Sequence, residues 1–366
     1  MQNILEYITE KILIFDGGMG RELQKKGLSD EQPPEAWNIE NPDPVRLLHR
    51  EYFNAGAVAV TTNTFGGNRI KLSHYGLSHR TVELNERAVH LVREAVGEKG
   101  YVVGSIGPTG CFVEPLGELS FAAAYEVFFE QAKALSEAGA DAIIIETMSD
   151  LGEIRAALMA AKDACSLPVI ACMTYSEGNR TFTGTDPETA AVVLESLGAD
   201  VIGVNCSGGP EQLEPVVATL CRSTNLPVLA EPNAGMPELE NGRTVYGETP
   251  QSMAGYSLHF ASLGAVMIGS CCGSTPEHTK AIAAILKGQT PVRRNRQFPL
   301  RVTGRFQTVS IGQGCYPVII GERINPTGKK ELAEEIREGK TALLKSEALS
   351  QVNAGADILD INVAGP

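Results

Sequence analysis

The feature that most constrains the fold is a series of eight short apolar runs. Each run is rich in β-branched residues, is continuous instead of alternating with polar residues, and is followed by a turn and a helical pattern. Such runs are typical of strands that are buried on both faces of a parallel sheet. The predicted strands occupy residues 12–15, 57–62, 102–106, 142–146, 169–174, 201–205, 228–231 and 265–270.

The segments between these runs contain helix-start and helix-stop signals. Helix ends share one glycine pattern, found in EAGAD, SLGAD and SLGAV. Eight successive βα units predict an α/β fold, specifically a TIM (β/α)8 barrel. The competing arrangement is an open doubly wound sheet, which gives no reason for a count of eight. The predicted helix caps are Asp43, Asp186, Thr249 and Thr275, each before a proline, and Ser120 and Asp150 without one.

The βα pattern stops near residue 288, and a basic segment follows. Residues 291–317 contain five arginines and no acidic residue, and they predict a linker with short β-hairpins. A nucleic-acid patch is the alternative, but no aromatic stacking platform accompanies the arginines. A new pattern of strand, helix and strand then begins, with too few strands to close a barrel. We therefore predict a barrel domain over 1–288, a linker over 289–317, and the truncated beginning of a second TIM-type barrel over 318–366.

Composition excludes several classes of protein. The chain has 366 residues, of which 43% are hydrophobic and 20% charged, as in soluble globular proteins. No apolar run is long enough to span a membrane, and acidic residues interrupt the N-terminal stretch where a signal peptide would be apolar. The net charge of −13 argues against nonspecific nucleic-acid binding. Scattered cysteines without a secretion signal favour a cytoplasmic location, with free thiols or metal ligands.

Three cysteines are predicted at strand ends, where TIM barrels place their chemistry. Cys206 follows the sixth predicted strand, and Cys271 and Cys272 follow the eighth. Adjacent cysteines rarely form a disulfide with each other, because the geometry is strained. Three protein ligands with an open fourth position are typical of a catalytic zinc, and thiolates favour Zn²⁺ over Mg²⁺. The alternative, a buried cysteine that acts as a small apolar residue, is assigned to Cys165, Cys172 and Cys221.

The motifs DGGMG (16–20), VNCSGG (204–209) and GSCCGSTPEH (269–278) resemble a known family. This family is the homocysteine S-methyltransferase domain shared by cobalamin-dependent methionine synthases and betaine-dependent methyltransferases. The resemblance covers residues 5–288. It implies a TIM-barrel methyltransferase of methionine biosynthesis, with homocysteine as substrate and zinc bound by the three cysteines at the strand ends.

The segment that begins at residue 318 carries a second resemblance. GERINPTGKK and GADILDINVAGP resemble the start of the pterin-binding barrel of methionine synthases, which the betaine-dependent relatives lack. This resemblance implies methylcobalamin as the methyl donor, bound by a cobalamin-binding module that is absent from this chain. The ultimate donor would be 5-methyltetrahydrofolate, with an incomplete site here. The positions that resemble pterin contacts are Asn325, Asp360 and Asn362, for which strand-end capping is the alternative.

Zinc is expected to generate a nucleophile. A free thiol has a pKa near 8.5 and is mostly protonated at neutral pH, whereas coordination removes its proton. Three cysteine thiolates give the site a net negative charge, which keeps the homocysteine sulfur electron-rich while it is ionised.

The amino-acid part of homocysteine needs partners of its own. Asp16 and Glu146, at the ends of the first and fourth strands, are suited to bind its ammonium group, and the resemblance implies the same role. The alternatives are a turn-forming role for Asp16 and hydrogen bonding at the barrel mouth for Glu146. A glycine-rich anion nest for the carboxylate is predicted at the amides of Gly17, Gly18 and Met19. Further polar candidates at strand ends are Asn63, Asn205 and Glu231.

Two other functions remain open at this point. One is cobalamin-independent methyl transfer to homocysteine from S-methylmethionine or betaine. The other is a non-catalytic module that binds zinc and homocysteine. Turnover with free methylcobalamin discriminates against the non-catalytic module, and activity with S-methylmethionine or betaine that is indifferent to cobalamin would indicate the cobalamin-independent transfer.

Overall fold

The computed structural model describes residues 2–240 and 243–363 and divides the chain into two compact units. The first unit comprises residues 1–296 and the second residues 297–366, so the boundary falls inside the predicted linker. The last three residues of the predicted segment 318–366 lie outside the described residues. No helix in the described ranges has the length and apolar content needed to cross a membrane.

The strands of the first unit confirm all eight predicted runs and add a hairpin. The hairpin is formed by two antiparallel strands inserted before the last barrel strand. The strands are β1 (Leu13–Ile14), β2 (Ala59–Thr61), β3 (Tyr101–Ile106), β4 (Ala142–Met148), β5 (Val169–Met173), β6 (Val201–Asn205), β7 (Val228–Glu231), β8 (Pro237–Glu240), β9 (Arg243–Tyr246) and β10 (Met267–Ile268).

Eight of these strands form one parallel sheet in the order β1-β10-β7-β6-β5-β4-β3-β2. Its two edges meet, because Phe15 and Ala59 form a parallel bridge and the Val58 amide donates to the Ile14 carbonyl over 2.8 Å. The sheet is therefore a nearly closed, TIM-like barrel, and the open doubly wound alternative is wrong.

Helices surround this barrel, and most begin where the capping residues predict. Ser120, Asp150, Asp186 and Thr249 each accept a hydrogen bond from a backbone amide of the first helical turn. The predicted cap at Asp43 is wrong. That helix begins two residues earlier, at Pro42 after Asn41, because this first proline also fits the start of a helix. The helices are α1 (Ile4–Glu10), α2 (Gly20–Lys25), α3 (Trp37–Glu40), α4 (Pro42–Ala55), α5 (Arg69–Ser73), α6 (Thr81–Val96), α7 (Phe121–Glu137), α8 (Leu151–Ala164), α9 (Pro187–Ser196), α10 (Pro210–Ser223), α11 (Pro250–Leu263) and α12 (Pro276–Leu286).

Helix α1 closes one end of the barrel. Its Ile4 and Ile8 are buried in the same cluster as Tyr101 and Val201, the first residues of β3 and β6. The Tyr101 hydroxyl also donates to the Gln2 carbonyl over 2.9 Å. The N-terminal end of the barrel is thus sealed by apolar packing, and polar groups collect at the opposite end.

The second unit contains a hairpin and a strand–helix–strand unit. Strands β11 (Leu300–Thr303) and β12 (Thr308–Ile311) pair antiparallel, while β13 (Ile320–Ile324) and β14 (Ile358–Ile361) pair parallel. Helices α13 (Lys330–Arg337) and α14 (Ala342–Asn353) connect this parallel pair. The elements follow the predicted pattern, although two strands do not by themselves show a second barrel.

The residues predicted to bind a pterin lie near the ends of β13 and β14. Asn325 accepts a hydrogen bond from the Thr327 amide, and the Asn362 amide donates to the Ile324 carbonyl. Asp360 lies within β14 and is exposed. Their proximity to the strand ends leaves both the pterin role and the capping role as predictions.

Candidate metal and substrate site

The three predicted cysteines meet at the open end of the barrel. The sulfurs of Cys206, Cys271 and Cys272 lie within 4.8 Å of one another. The sulfurs of Cys206 and Cys272 are 3.5 Å apart. The neighbouring thiols of Cys206 and Cys271 lower the pKa of Cys272. The cluster therefore favours one thiolate, which the two other thiols stabilise.

The backbone, more than the side chains, holds these cysteines in place. Cys206 follows β6 with a φ of 52°, a left-handed conformation that is uncommon for a residue with a side chain. The Cys271 amide donates to the Pro232 carbonyl over 2.7 Å, and the Cys272 amide donates to Oδ1 of Asn233 over 3.1 Å. The loop after β7 thus positions the cysteine pair after β10, and a strained residue turns the third thiol toward it.

Glu146 projects from the interior face of β4 into the same end of the barrel. It follows Ile144, a residue of the interior cluster, by two positions, and alternate residues of a strand share a face. Ser105 donates to its Oε1 over 2.6 Å and Asn205 donates to its Oε2 over 3.1 Å. Burial raises the pKa of Glu146 to about 7 despite the hydrogen bond from Ser105. A cationic partner would restore the charged form.

Asp16 lies on the opposite side of the same space, just after β1, and is 2% exposed. Its Oδ2 accepts hydrogen bonds from the amide and the hydroxyl of Thr61, over 2.9 and 3.0 Å. Burial, only partly offset by these bonds, raises the pKa of Asp16 to about 8. Glu231, at the end of β7, is a third buried carboxyl, whose pKa is raised by burial and by the charges of Glu146 and Asp16. Three carboxyls thus line one cavity, whose described lining also includes the cationic side chains of Arg21 and Lys71.

The glycine-rich segment after β1 is present, but one of its amides already has a partner. The Gly18 amide donates to Oγ of Ser274 over 3.0 Å. The hydroxyl of Tyr52 donates to the Gly18 carbonyl over 2.8 Å, and so fixes the segment from the other side. Of the three amides in the predicted anion nest, those of Gly17 and Met19 remain candidates for binding the substrate carboxylate.

The predicted candidates Asn63 and Asn205 both have structural hydrogen bonds. Asn63 donates to the Pro34 carbonyl and to Asn38, and so positions the loop before α3. Asn205 accepts from the Thr147 amide over 2.8 Å while it donates to Glu146. Asn205 therefore supports a carboxylate of the site, and Asn63 supports its wall.

A cavity of about 540 Å³ joins these groups. All the predicted site residues of the first unit line it except Asn205, which contacts two of its lining residues. Lining residues that the sequence analysis did not select include Thr61, Ser105, Glu35, Lys71, Tyr246 and Ser270.

Two of the lining residues that the sequence analysis did not select could have been found from strand periodicity. Thr61 and Ser105 follow buried interior residues by two positions in β2 and β3, so strand periodicity alone placed them at the barrel mouth. Tyr246 had no such signal, because it comes from the inserted hairpin. Its ring packs so closely on Gly273 (φ 79°) that an added Cβ would lie 2.2 Å from the tyrosine Cγ. Glycine is required there.

Comparison with known proteins identifies the family. The profile described as Homocysteine S-methyltransferase matches residues 13–286. The chain belongs to this family. It is therefore a methyltransferase of the homocysteine S-methyltransferase type.

Curated relatives and solved structures agree with this family. The chain is 31% identical over 379 residues to the methionine synthase of Mycobacterium tuberculosis, a match that covers 99% of this chain and 32% of that protein. It is 30% identical over 384 residues to the methionine synthase of Mycobacterium leprae, with the same coverage. The chain thus spans about a third of the length of these relatives. The homocysteine methyltransferase MmuM from Escherichia coli, in its oxidized form, is 26% identical, with a TM-score of 0.65 over 75% of this chain and 95% of that chain. Its metallated form, at 24% identity and a TM-score of 0.64 over 77% and 98% of the two chains, has the same fold.

Proposed function

We propose that this chain binds Zn²⁺ through Cys206, Cys271 and Cys272 and transfers a methyl group to the homocysteine sulfur, which yields methionine. The observation that carries the proposal is the convergence of three thiols and buried carboxyls on one cavity. The thiols suit a sulfur-binding metal site, and the carboxyls suit the ammonium group of an amino acid.

The donor set fits zinc. An ion bound about 2.3 Å from each sulfur in tetrahedral geometry requires sulfur separations of about 3.8 Å. The three sulfurs lie within 4.8 Å of one another, so small side-chain movements reach this geometry. Thiolate ligands favour zinc over magnesium or calcium. When bound, zinc would supply the positive charge that keeps a substrate thiol ionised at neutral pH.

The side chains of the cavity orient the substrate. Asp16 and Glu146 bind the ammonium group, and the charge of that group drives both carboxyls into their ionised form. The amides of Gly17 and Met19 receive the carboxylate. With both ends of the amino acid fixed, the sulfur faces the open end of the barrel. Its lone pair forms the new bond to the methyl carbon, and the electron pair of the broken bond leaves with the donor.

Methylcobalamin is the donor that we propose, bound by a separate cobalamin-binding module and regenerated from 5-methyltetrahydrofolate. Support comes from the methionine synthase relatives, whose similarity extends over 99% of this chain and therefore includes the second unit. We propose that residues 318–366 are the first part of a pterin-binding barrel in which Asn325, Asp360 and Asn362 contact the pterin.

A donor panel tests this function. Zinc-loaded protein is incubated with homocysteine and methylcobalamin, S-methylmethionine, betaine or 5-methyltetrahydrofolate, and methionine is quantified. We expect methionine from methylcobalamin, and none from methyltetrahydrofolate as sole donor, because two strands of a pterin barrel form an incomplete site. If methionine forms only with S-methylmethionine or betaine, that compound and not methylcobalamin is the donor. Homocysteine binding without turnover from any donor would indicate a binding module.

A further inference from the structure

Ser270, directly before the cysteine pair, carries a buried hydroxyl with no hydrogen-bond partner. The residue is 5% exposed, and its Oγ has no partner among the described residues. Most buried polar side-chain atoms in proteins have a partner, so an exception within a cavity calls for an explanation. Since Ser270 lines the candidate substrate cavity, a ligand atom is a direct way to complete its bonding.

The position of this hydroxyl indicates which ligand atom it reaches. A Cβ built on Gly17 would lie 3.0 Å from the Ser270 Oγ, so the hydroxyl lies against the glycine segment after β1. The Ser270 amide donates to the Asp16 carbonyl over 3.3 Å, which fixes the backbone at this point. The hydroxyl therefore lies beside the amides assigned to the substrate carboxylate.

A second serine, four residues later, provides the contrast. The Oγ of Ser274 accepts from the Gly18 amide over 3.0 Å and donates to the Cys271 carbonyl over 2.7 Å. Both hydrogen-bonding functions of Ser274 are therefore used within the protein. Its bond to Gly18 removes one donor from the anion nest, next to the place where Ser270 offers one.

The charges around Ser270 favour a donor role. Asp16 and Glu231 are buried carboxyls of this cavity and Glu146 is a half-buried one, and they provide acceptors for an ammonium group but no donors when ionised. An α-carboxylate that binds among them needs donors of its own. We propose that the Ser270 hydroxyl donates a hydrogen bond to the α-carboxylate of homocysteine and selects thiols that carry this group. This inference rests on the proposed function.

Three small thiol ligands test recognition of the amine and of the carboxylate separately. Homocysteine carries both polar groups, 4-mercaptobutanoate lacks the amine, and 3-aminopropane-1-thiol lacks the carboxylate. Dissociation constants are measured by calorimetry on the full zinc-loaded chain, wild type and Ser270→Ala, after metal analysis has shown equal zinc content. A hydrogen bond to a charged group predicts an affinity loss of about tenfold or more. We expect this loss for homocysteine and 4-mercaptobutanoate, with unchanged affinity for 3-aminopropane-1-thiol.

Ser274→Ala is the matched control. Because its hydroxyl hydrogen-bonds to the Gly18 amide and the Cys271 carbonyl, its removal should weaken the binding of all three thiol ligands by a similar factor. Three results for Ser270→Ala would overturn the inference: an equal loss of affinity for all three thiols, a loss for only the two ligands that carry an amine, or no loss. Homocysteine binding by the wild type would still support the proposed function in each case. Failure of the zinc-loaded wild type to bind homocysteine would overturn the proposed function, and this inference with it.

Discussion

The thiol side and the carboxyl side of the cavity are built in different ways. Glu146 belongs to a regular strand and Asp16 directly follows one, and each accepts hydrogen bonds from neighbouring protein groups. The cysteines lie on loops, one of them with a left-handed backbone, and their sulfurs lie within 4.8 Å of one another. The carboxyl side is therefore organised by hydrogen bonds within the protein, whereas the thiols form a cluster whose spacing suits a metal ion.

This difference predicts how the two sides fail. Loss of a thiol should remove the metal and everything that depends on it. Loss of a carboxyl should leave the metal in place and remove recognition of one substrate group.

The largest effect is expected from Cys272→Ala. With one of three ligands removed, the remaining thiols no longer form the site, so we expect loss of stoichiometric zinc and of detectable homocysteine binding. The fold should be retained, because Cys272 is only partly buried and the barrel core lies elsewhere. Metal analysis, calorimetry and circular dichroism measure the three quantities.

Cys111→Ala is the matched control for this variant. Cys111 is an exposed free cysteine in the loop after β3 and should retain zinc and substrate when replaced. Stoichiometric zinc in all three single variants, at Cys206, Cys271 and Cys272, would show that these residues are not the ligands.

A smaller and more selective effect is expected from Glu146→Gln. Removal of one charged partner from a desolvated pair typically costs about 2–5 kcal/mol. We expect that loss for homocysteine and little change for 4-mercaptobutanoate, which has no amine, with zinc content unchanged. The control is Glu153→Gln, another buried carboxyl, which accepts hydrogen bonds from Thr109 and does not line the cavity. Equal losses for both thiols would assign Glu146 to the zinc site or the fold.

The raised pKa values predict a pH dependence on the carboxyl side. In the free protein, Glu146 is protonated below a pKa of about 7 and Asp16 below a pKa of about 8. Bound ammonium requires the ionised forms, so protons compete with it and affinity falls as the pH decreases through this range. Each coupled proton changes affinity by up to about tenfold per pH unit.

The ratio of affinities for homocysteine and 4-mercaptobutanoate isolates this effect, since ionisation of the thiol contributes to both ligands. We expect the ratio to fall between pH 8 and pH 6 in the wild type and to change less in Glu146→Gln. If the ratio stays constant with pH in the wild type, Asp16 and Glu146 do not bind the ammonium group.

Sequence reasoning predicted the barrel because both periodicity and capping act locally. Continuous apolar runs gave all eight strands, and capping residues such as Asp186 and Thr249 gave helix starts. Where two local signals competed, as at Pro42 and Pro44, the boundary was wrong. The hairpin of β8 and β9 escaped notice because it belongs to an inserted loop and adds nothing to the barrel pattern.

The site was predicted only in part, for a related physical reason. Thiols and carboxyls at strand ends are visible in the sequence because the barrel brings all strand ends together. Hydrogen-bond partners that are distant in the chain are not visible. Nothing in the sequence links Ser274 to the Gly18 amide, 256 positions away, which donates to its hydroxyl in the structure. Only the three-dimensional structure therefore shows that the Gly18 amide already has a hydrogen-bond partner.

The smallest expected effect concerns Asn205, the residue that lies between the two sides. It donates to Glu146 and accepts from the Thr147 amide, and it directly precedes the proposed zinc ligand Cys206. Because net contributions of single hydrogen bonds are about 0.5–1.5 kcal/mol, Asn205→Ala should weaken homocysteine binding by about two- to tenfold. Zinc should be retained, since the backbone of Cys206 has its own bond to the Glu231 carbonyl. Zinc titration and calorimetry on the same preparation measure both quantities. If Asn205→Ala loses zinc together with homocysteine, the thiol and carboxyl sides are one cooperative unit, and the separation inferred from their different construction does not hold.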